Sequence, residues 1–544
     1  MAIAQPHTAL PRAPRRWPHP AAGWRPVRAS RAASLFGEPD SRPGIAGTAY
    51  DTAWLAGVPA GPERRASCFP TALQWLVDHQ RADGSWGGEV RYEHDRILST
   101  LAALAPLAAL GRRDVDRAGV AAGTRYLWQH GHRLAHEPME LVGFELLLPS
   151  LVLRAQDAGV AVPPDLDVYA AQRAEKLRLI PRAALYSPHT TAVHSLEFLG
   201  GEADLAGLRK AQGANGSIGN SPAATAFYFA QSGDPHALAY LRECVARSGG
   251  AMAPVLYPCE TFELLWSAYH LFLAGIPSEQ LLSAAERVSL GEALRQGGVS
   301  LSPTFPIADA DDTAVALLLL HDLGQSVRPQ VLEAFATPGG FFASFPHERH
   351  SSVGVNLHVL HALLRVPGYP DAERAVDRVL DYLVDQQVRG LYWLDKWHIS
   401  PYYATAHALC VLRELPPAQA KRIAPHLECA RDWLRQTQNA DGSWGFYGQP
   451  TVEETAYGLL ALASGGLAHA APSVDGDRRR CLAAARFLRS AAGHGGAGGF
   501  PPGFPPMWID KCLYTPTLVV QAVIEAALAA VARQQADGRD GTTR

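Results

Sequence analysis

Apolar positions recur every three or four residues along most of the chain. Examples are "TALQWLVDHQ" from Thr71, "SAYHLFLAGI" from Ser267, "AVDRVLDYLVDQQ" from Ala375, "ARDWLRQTQ" from Ala430 and "LVVQAVIEAALAAVARQQ" from Leu518. An apolar stripe of that period marks an amphipathic helix laid on a core. Alternation with a period of two is scarce, and clusters of Gly and Pro separate the helical stretches. The pattern predicts an all-α chain.

A repeat runs through these helices. "WLVDHQRADGSWGG" ends at Gly88 and "WLRQTQNADGSWGFYG" at Gly448. A weaker copy, "LRKAQGANGSIGN", ends at Asn220, and the weakest, "LVDQQVRGLYW", at Trp393. The first three join a helix to a Gln and then to a tight Asp-Gly or Asn-Gly turn, where Gly supplies the positive φ. The Gln side chain can bond backbone at a neighbouring helix end. Such units tie successive helical hairpins together, as in an α/α barrel, and read as packing devices. Two copies fall in each half, which predicts two related barrels over 46–268 and 269–534, dividing within 260–275. Residues 1–45 are expected to be disordered and 535–544 to form a flexible tail.

At 544 residues with 47% hydrophobic and 19% charged side chains, the chain is long enough for two or three domains with large cores. A net charge of −3, with bases and acids nearly balanced, gives no footprint for nucleic acid. The seven cysteines contain no CxxC pair, which fits reduced thiols in the cytoplasm better than a disulfide framework or zinc site. No uninterrupted apolar run reaches the length of a membrane span, so no integral membrane segment is expected. The first 37 residues hold Arg12, Arg15, Arg16, Arg25, Arg28 and Arg31 without one acid, a transit-peptide composition. The same Ala, Arg, Gly and Pro bias pervades the chain, so a disordered bacterial N-terminus is the expectation.

"FPIADADDTAVALLLL", from Phe305, places Asp309, Asp311 and Asp312 at the mouth of an apolar helix. Two readings stand. Asp before a helix caps its free N–H groups. Carboxyls crowded and buried together can also hold a proton at neutral pH and deliver it. A calcium loop would need a Gly and a distant Glu that the spacing lacks.

Four stretches together resemble the class II terpene cyclases, which include the squalene–hopene cyclases and copalyl diphosphate synthases. They are the DxDD spacing of Asp309-Ala310-Asp311-Asp312, the Gln–Trp repeats, "TAYDTAWLA" from Thr48, and "HTTAVHSLEFLGG…NGSIGNSPAATAF" from His189 to Phe227. "DKWHISPYYATAHAL", from Asp395, resembles the bacterial members. The resemblance implies a βγ pair of α-barrels with the active site between them. It implies an isomerase (intramolecular lyase) that protonates an alkene and retains the substrate's diphosphate. Asp311 would be the acid, oriented and tuned by Asp309 and Asp312. Trp393, Trp397, Tyr402, Tyr403, Trp508 and Tyr514 are candidates to face the carbocation; each reads first as core packing, and two or three of the six are expected on the cavity. Lys210, Lys396 and Lys511 are candidates to hold diphosphate, with surface pairing as the plain alternative. Glu197, in "HSLE", would be a Mg²⁺ ligand, with Glu202 and Asp204 as weaker candidates.

The substrate implied is geranylgeranyl diphosphate, closed to a copalyl-type product. The alternative is farnesyl diphosphate closed to a drimenyl-type product. A triterpene cyclase or a non-catalytic α/α scaffold fits less of the sequence. No class I DDxxD motif is present. His358, His361, His398 and His407 are possible terminal bases but read first as core histidines, and Asn356 as a possible holder of a water. A homodimer is possible.

Overall fold

The computed structural model describes residues 44–540 except 62, 64, 137–138, 347, 349, 465–472 and 493–503. Most of the N-terminal segment expected to be disordered, and the last four residues of the tail, lie outside the described residues. From 535 to 540 the expected tail continues the last helix.

Helices buried over most of their length form two inner rings, and amphipathic helices pack around them. In the first ring α1 (Ala49–Ala56) packs on α2 (Glu93–Leu110), which packs on α3 (Phe144–Asp157). A 3-10 segment, Thr191–Glu202, links α3 to α4 (Pro222–Ser232), and α4 returns to α1. The second ring runs α5 (Glu260–Leu273), α6 (Ala310–Asp322), α7 (Val353–Arg365), α8 (Pro401–Val411), α9 (Val452–Ser464) and α10 (Thr517–Asp540), which closes on α5. Every residue of α8 is buried. The outer helix Ala372–Asp385 buries only Val376, Val379, Leu380 and Leu383, one stripe at helical spacing. The division expected after 268 falls inside α5. By its packing the whole of α5 belongs to the second ring, so the barrels part just before Glu260, at the edge of the expected window.

The repeats are the joints of these rings. Trp86, Trp393 and Trp444 each donate an indole N–H to the carbonyl ten residues earlier, of Leu76, Leu383 and Leu434. Gln80 and Gln438 each bond the turn carbonyl, of Gly84 and Gly442, and a carbonyl of the next outer helix, Gly119 and Arg480. Gly84 (φ 90°) and Gly442 (φ 93°) leave no space for a side chain, because a Cβ would lie 2.6 Å from Ala122 O and 2.5 Å from Ala483 C.

Among the described residues the one sheet is a two-stranded hairpin, β1 (Trp508–Ile509) and β2 (Leu513–Tyr514). It joins the barrels. Ile509 N–H bonds Trp397 O in the second, while the Asp510 carbonyl accepts Val142 N–H from the first. Among the described residues one stretch, Thr517–Gln535 in α10, is long and apolar enough to cross a membrane by composition. Its apolar side chains are spent on the second barrel's core, where Leu518, Val519, Val520, Val523 and Ile524 are fully buried.

Candidate active site

The N-terminus of α6 opens into a cavity. From the first half come Val142, Thr191, His194 and Leu256. The rest of the wall comes from the second half and is largely aromatic: Phe262, Trp266, Phe305, Phe345, Trp397, Tyr403, Trp508 and Tyr514. Trp508 sits at its centre, with ring centroids 5.3 Å from Tyr403, 5.7 Å from Trp266 and 5.8 Å from Phe262. The polar groups on the wall include all three aspartates, Glu348, Asp510 and Ser344.

Both readings of the aspartates hold, on different residues. Asp309 is the N-cap of α6, and its Oδ1 accepts Asp312 N–H at 2.7 Å. Asp311 Oδ1 lies 2.6 Å from His358 Nδ1 on α7. Asp312 Oδ1 is buried without a hydrogen-bond partner among the described residues. All three carboxyls are pushed up. Burial, then the Asp311 charge, raises Asp309 to about 8. Burial, then Asp309 and Asp311, raises Asp312 well above the carboxylate range. Burial also raises Asp311, although His358 pulls it back. Carboxyls in low dielectric beside one another keep protons at neutral pH.

Behind Asp311 stands a row of histidines. His358 Nε2 is 3.1 Å from His407 Nδ1, and His407 Nε2 is 3.1 Å from His270 Nε2. Burial, before the neighbouring histidines, lowers His270 to about 3 and His407 well below the usual value, so both are neutral.

Several expected residues lie elsewhere. Trp393 is the tryptophan of a repeat joint, and Tyr402 stacks on Trp433 at 4.8 Å in the core, so neither lines the cavity. Lys210 is exposed on the short helix Leu205–Ala211, away from the wall. Lys396 pairs with Glu348 and sits 4.5 Å over the Trp397 ring, both wall residues. Lys511 is fully buried beneath the hairpin, with its Nζ 3.0 Å from Glu197 Oε1, 2.6 Å from Ser221 Oγ and 3.9 Å from Asp51 Oδ1. Glu202 pairs with Arg173, and Asp204 caps Leu205–Ala211.

Glu197 corrects a further expectation. Its Oε1 also accepts the Tyr50 hydroxyl at 2.9 Å. A Mg²⁺ ion needs several oxygen ligands and water. Here an ammonium occupies the carboxylate's near side, and no metal-ligating group of three His, Cys, Asp or Glu exists among the described residues. Only Oε2 is left without a partner among the described residues, and a single carboxylate oxygen beside an ammonium falls short of the ligand set Mg²⁺ needs. The motifs carrying Tyr50 and Asp51, Glu197, Ser221 and Lys511 converge instead on one buried ionic cluster that ties the hairpin to the first barrel.

None of His358, His361, His398 or His407 reaches the wall. His361 bonds Tyr269, and His398 bonds Glu453. Asn356 is consumed by the backbone of Phe342 and Ser352, which leaves no role holding a water. The sequence reading passed over Phe262, Trp266, Asp510 and the lining role of His194. The first two had a signal: Phe262, Trp266 and His270 recur every four residues and so share one face of α5.

Residues 349–475 match the family described as squalene-hopene cyclase C-terminal domain. The chain is 32% identical to a type B diterpene cyclase of Mycobacterium tuberculosis over 509 residues, covering 89% of this chain and 95% of the relative. It is 35% identical to an ent-copalyl diphosphate synthase of a Streptomyces species, covering 85% and 88%. The solved ent-copalyl diphosphate synthase of Streptomyces platensis superposes with a TM-score of 0.75 at 29% identity, covering 93% and 99%. Nearly full-length identity above 30%, with the same fold, establishes that this chain belongs to the class II terpene cyclases and is a diterpene cyclase.

Proposed function

We propose that the cavity between the barrels is the active site. There Asp311 protonates the distal alkene of geranylgeranyl diphosphate, and ring closure gives a copalyl-type bicyclic diphosphate. The observation that carries this reading is a buried carboxyl cluster, each member pushed toward its protonated form, opening onto an aromatic wall. His358 bonds Asp311 Oδ1, which leaves Oδ2 to carry the proton toward the cavity. Asp309 holds the helix end, and burial, with the nearby Asp395 carboxylate, opposes the loss of that proton until an alkene takes it. The electron-rich faces of Trp266, Tyr403 and Trp508 stabilise the carbocation by roughly 0.5–2 kcal/mol each. The C–O bond to diphosphate stays intact.

Lys396 is the cation placed to receive the diphosphate, bridging it to Glu348 with the pair kept. Mg²⁺ enters this reading with the diphosphate as the substrate's own counter-ion, not as an ion held at Glu197. A water-soluble prenyl diphosphate and seven unpaired cysteines suit the cytoplasm.

The test is incubation with geranylgeranyl or farnesyl diphosphate and Mg²⁺, then phosphatase and mass spectrometry. A bicyclic C20 alcohol found only after phosphatase supports the reading. A C15 product in its place moves the enzyme to the drimenyl-type reaction. Untouched substrate in both rejects the assignment.

A further inference from the structure

A cyclisation begun by adding a proton to an alkene ends as an isomer only if another proton is removed. The residue that takes it must lie on the cavity wall and be unprotonated when the last cation forms. Outside the aspartate cluster the wall carries two carboxylates among the described residues, Glu348 and Asp510. Glu348 is bound by Lys396. Asp510 sits in the turn of the β1–β2 hairpin.

Asp510 is built to stay ionised. Its Oδ1 accepts Lys511 N–H at 2.6 Å and faces His194 Nε2 at 3.2 Å. His194 Nδ1 lies 2.9 Å from the Gly219 carbonyl oxygen, which can only accept, so Nδ1 carries a proton. With its other nitrogen turned to a carboxylate, the ring is the imidazolium. The electrostatics agree. Burial opposes charge on His194, yet Asp510 and the two hydrogen bonds raise it overall. Burial opposes charge on Asp510, yet His194 and then Lys511 lower it overall. Asp510 Oδ2 makes no hydrogen bond among the described residues.

We propose that Asp510 accepts the terminal proton and that His194 is its positioning residue. The C–H bond beside the final cationic carbon breaks, and its electron pair becomes the new C=C bond. The proton forms an O–H bond on Asp510. Asp311 has lost one proton and Asp510 gained one, so the product is an isomer of the substrate, and both groups reset by exchange with water once the product leaves. A carboxylate of low basicity suffices, because a C–H next to a carbocation is very acidic. Aromatic side chains supply much of the rest of the wall, and they are poor proton acceptors. The proposal rests on the cavity being the cyclisation site.

The test reads products, not only rate. Asp510→Asn keeps the shape and removes the base. Formation of the wild-type alkene should fall by about a hundredfold or more, with isomeric alkenes or a hydroxylated diphosphate from water capture taking its place. Asp510→Glu should restore part of the wild-type alkene. His194→Gln removes the imidazolium, leaving Lys511, with Glu197 and Asp51 behind it, as the charged groups around Asp510, and Tyr514 as its neutral neighbour. The pH below which the wild-type alkene fraction is lost should therefore move upward. Circular dichroism checks the fold of each variant, and if Asp510→Asn does not fold, the Glu and Gln variants decide. An unchanged product from folded Asp510→Asn overturns the proposal. So does complete loss of substrate consumption in that variant, because initiation does not pass through Asp510. Asp311→Asn run alongside separates the two failures, since retained turnover there rejects the cavity reading itself.

Discussion

His358 Nδ1 stands 2.6 Å from Asp311 Oδ1, the closest partner of the middle aspartate. The two come from different inner helices, and the contact fixes the chemistry of both. With Asp311 protonated on Oδ2, its Oδ1 accepts from His358 Nδ1–H. His358 Nε2 then accepts from His407 Nδ1–H, and His407 Nε2 from His270 Nε2–H. One tautomer per ring satisfies these three contacts, and His270 Nδ1, at the far end of the row, meets no hydrogen-bond partner of good geometry among the described residues. The row ends in the core rather than in water, so it orients and polarises the acid rather than conducting protons.

Asp311→Asn is therefore expected to abolish substrate consumption while the helical content stays unchanged by circular dichroism. His358→Phe keeps the ring and removes the donor. Its kcat should fall by about a hundredfold with KM little changed. Equal kcat values for variant and wild type would remove His358 from the reaction.

The aspartate cluster makes both stability and turnover depend on pH. Burial, then Asp311, raises Asp309 to about 8. A folded value above the unfolded one, about 4, means its stabilising share is whole below pH ~4 and is lost as pH rises toward about 8. Asparagine caps a helix as well as aspartate and does not titrate. Between pH 5 and 9, Asp309→Asn should thus gain stability relative to wild type. The gain should reach a few kcal/mol, since each pH unit between the folded and unfolded values corresponds to roughly 1.4 kcal/mol. Wild-type turnover should decline above pH ~8 as Asp309 loses its proton beside the acid. Urea unfolding at both pH values and a pH–rate profile measure this, and parallel stability curves would contradict it.

Lys511 is fully buried against Glu197, also fully buried. Removing one partner of a buried ion pair costs about 3–5 kcal/mol because the other charge is stranded. Lys511→Met should lose that much in chemical unfolding, and adding Glu197→Gln should recover part of it. Additive losses would argue against a direct pair. Mg²⁺ without substrate should leave the wild-type unfolding midpoint in place, because a ligand stabilises only what it binds.

Trp393 and Trp397 are four residues apart and serve different ends. Trp393→Phe loses the indole bond to Leu383 O and should cost about 1–3 kcal/mol of stability, with the product unchanged. Trp397→Ala removes part of the cavity wall and should lower turnover or alter the product while stability changes less. Mass spectrometry and thermal unfolding of the two variants separate the roles, and the opposite assignment would exchange the two results.

The sequence by itself determined what is local or periodic. Helical spacing marked the ring helices, and the Gln and Gly of each repeat foretold a joint, because those contacts span few residues or a fixed turn. The aspartate cluster was legible because its three carboxyls share one helical turn. Tertiary structure decided what depends on the meeting of distant segments. Trp393, Tyr402 and Lys210 carried the right chemistry at the wrong place, since spacing along a chain does not say which face of a ring points inward. Glu197 read as a metal ligand until Lys511, 314 positions away, was found against it. His358 meets Asp311, and His194 meets Asp510, only because closure of the second ring and docking of the hairpin on the first bring them there. Burial then shifts their proton affinities, and an apolar stripe marks a buried face without saying which polar groups are buried with it.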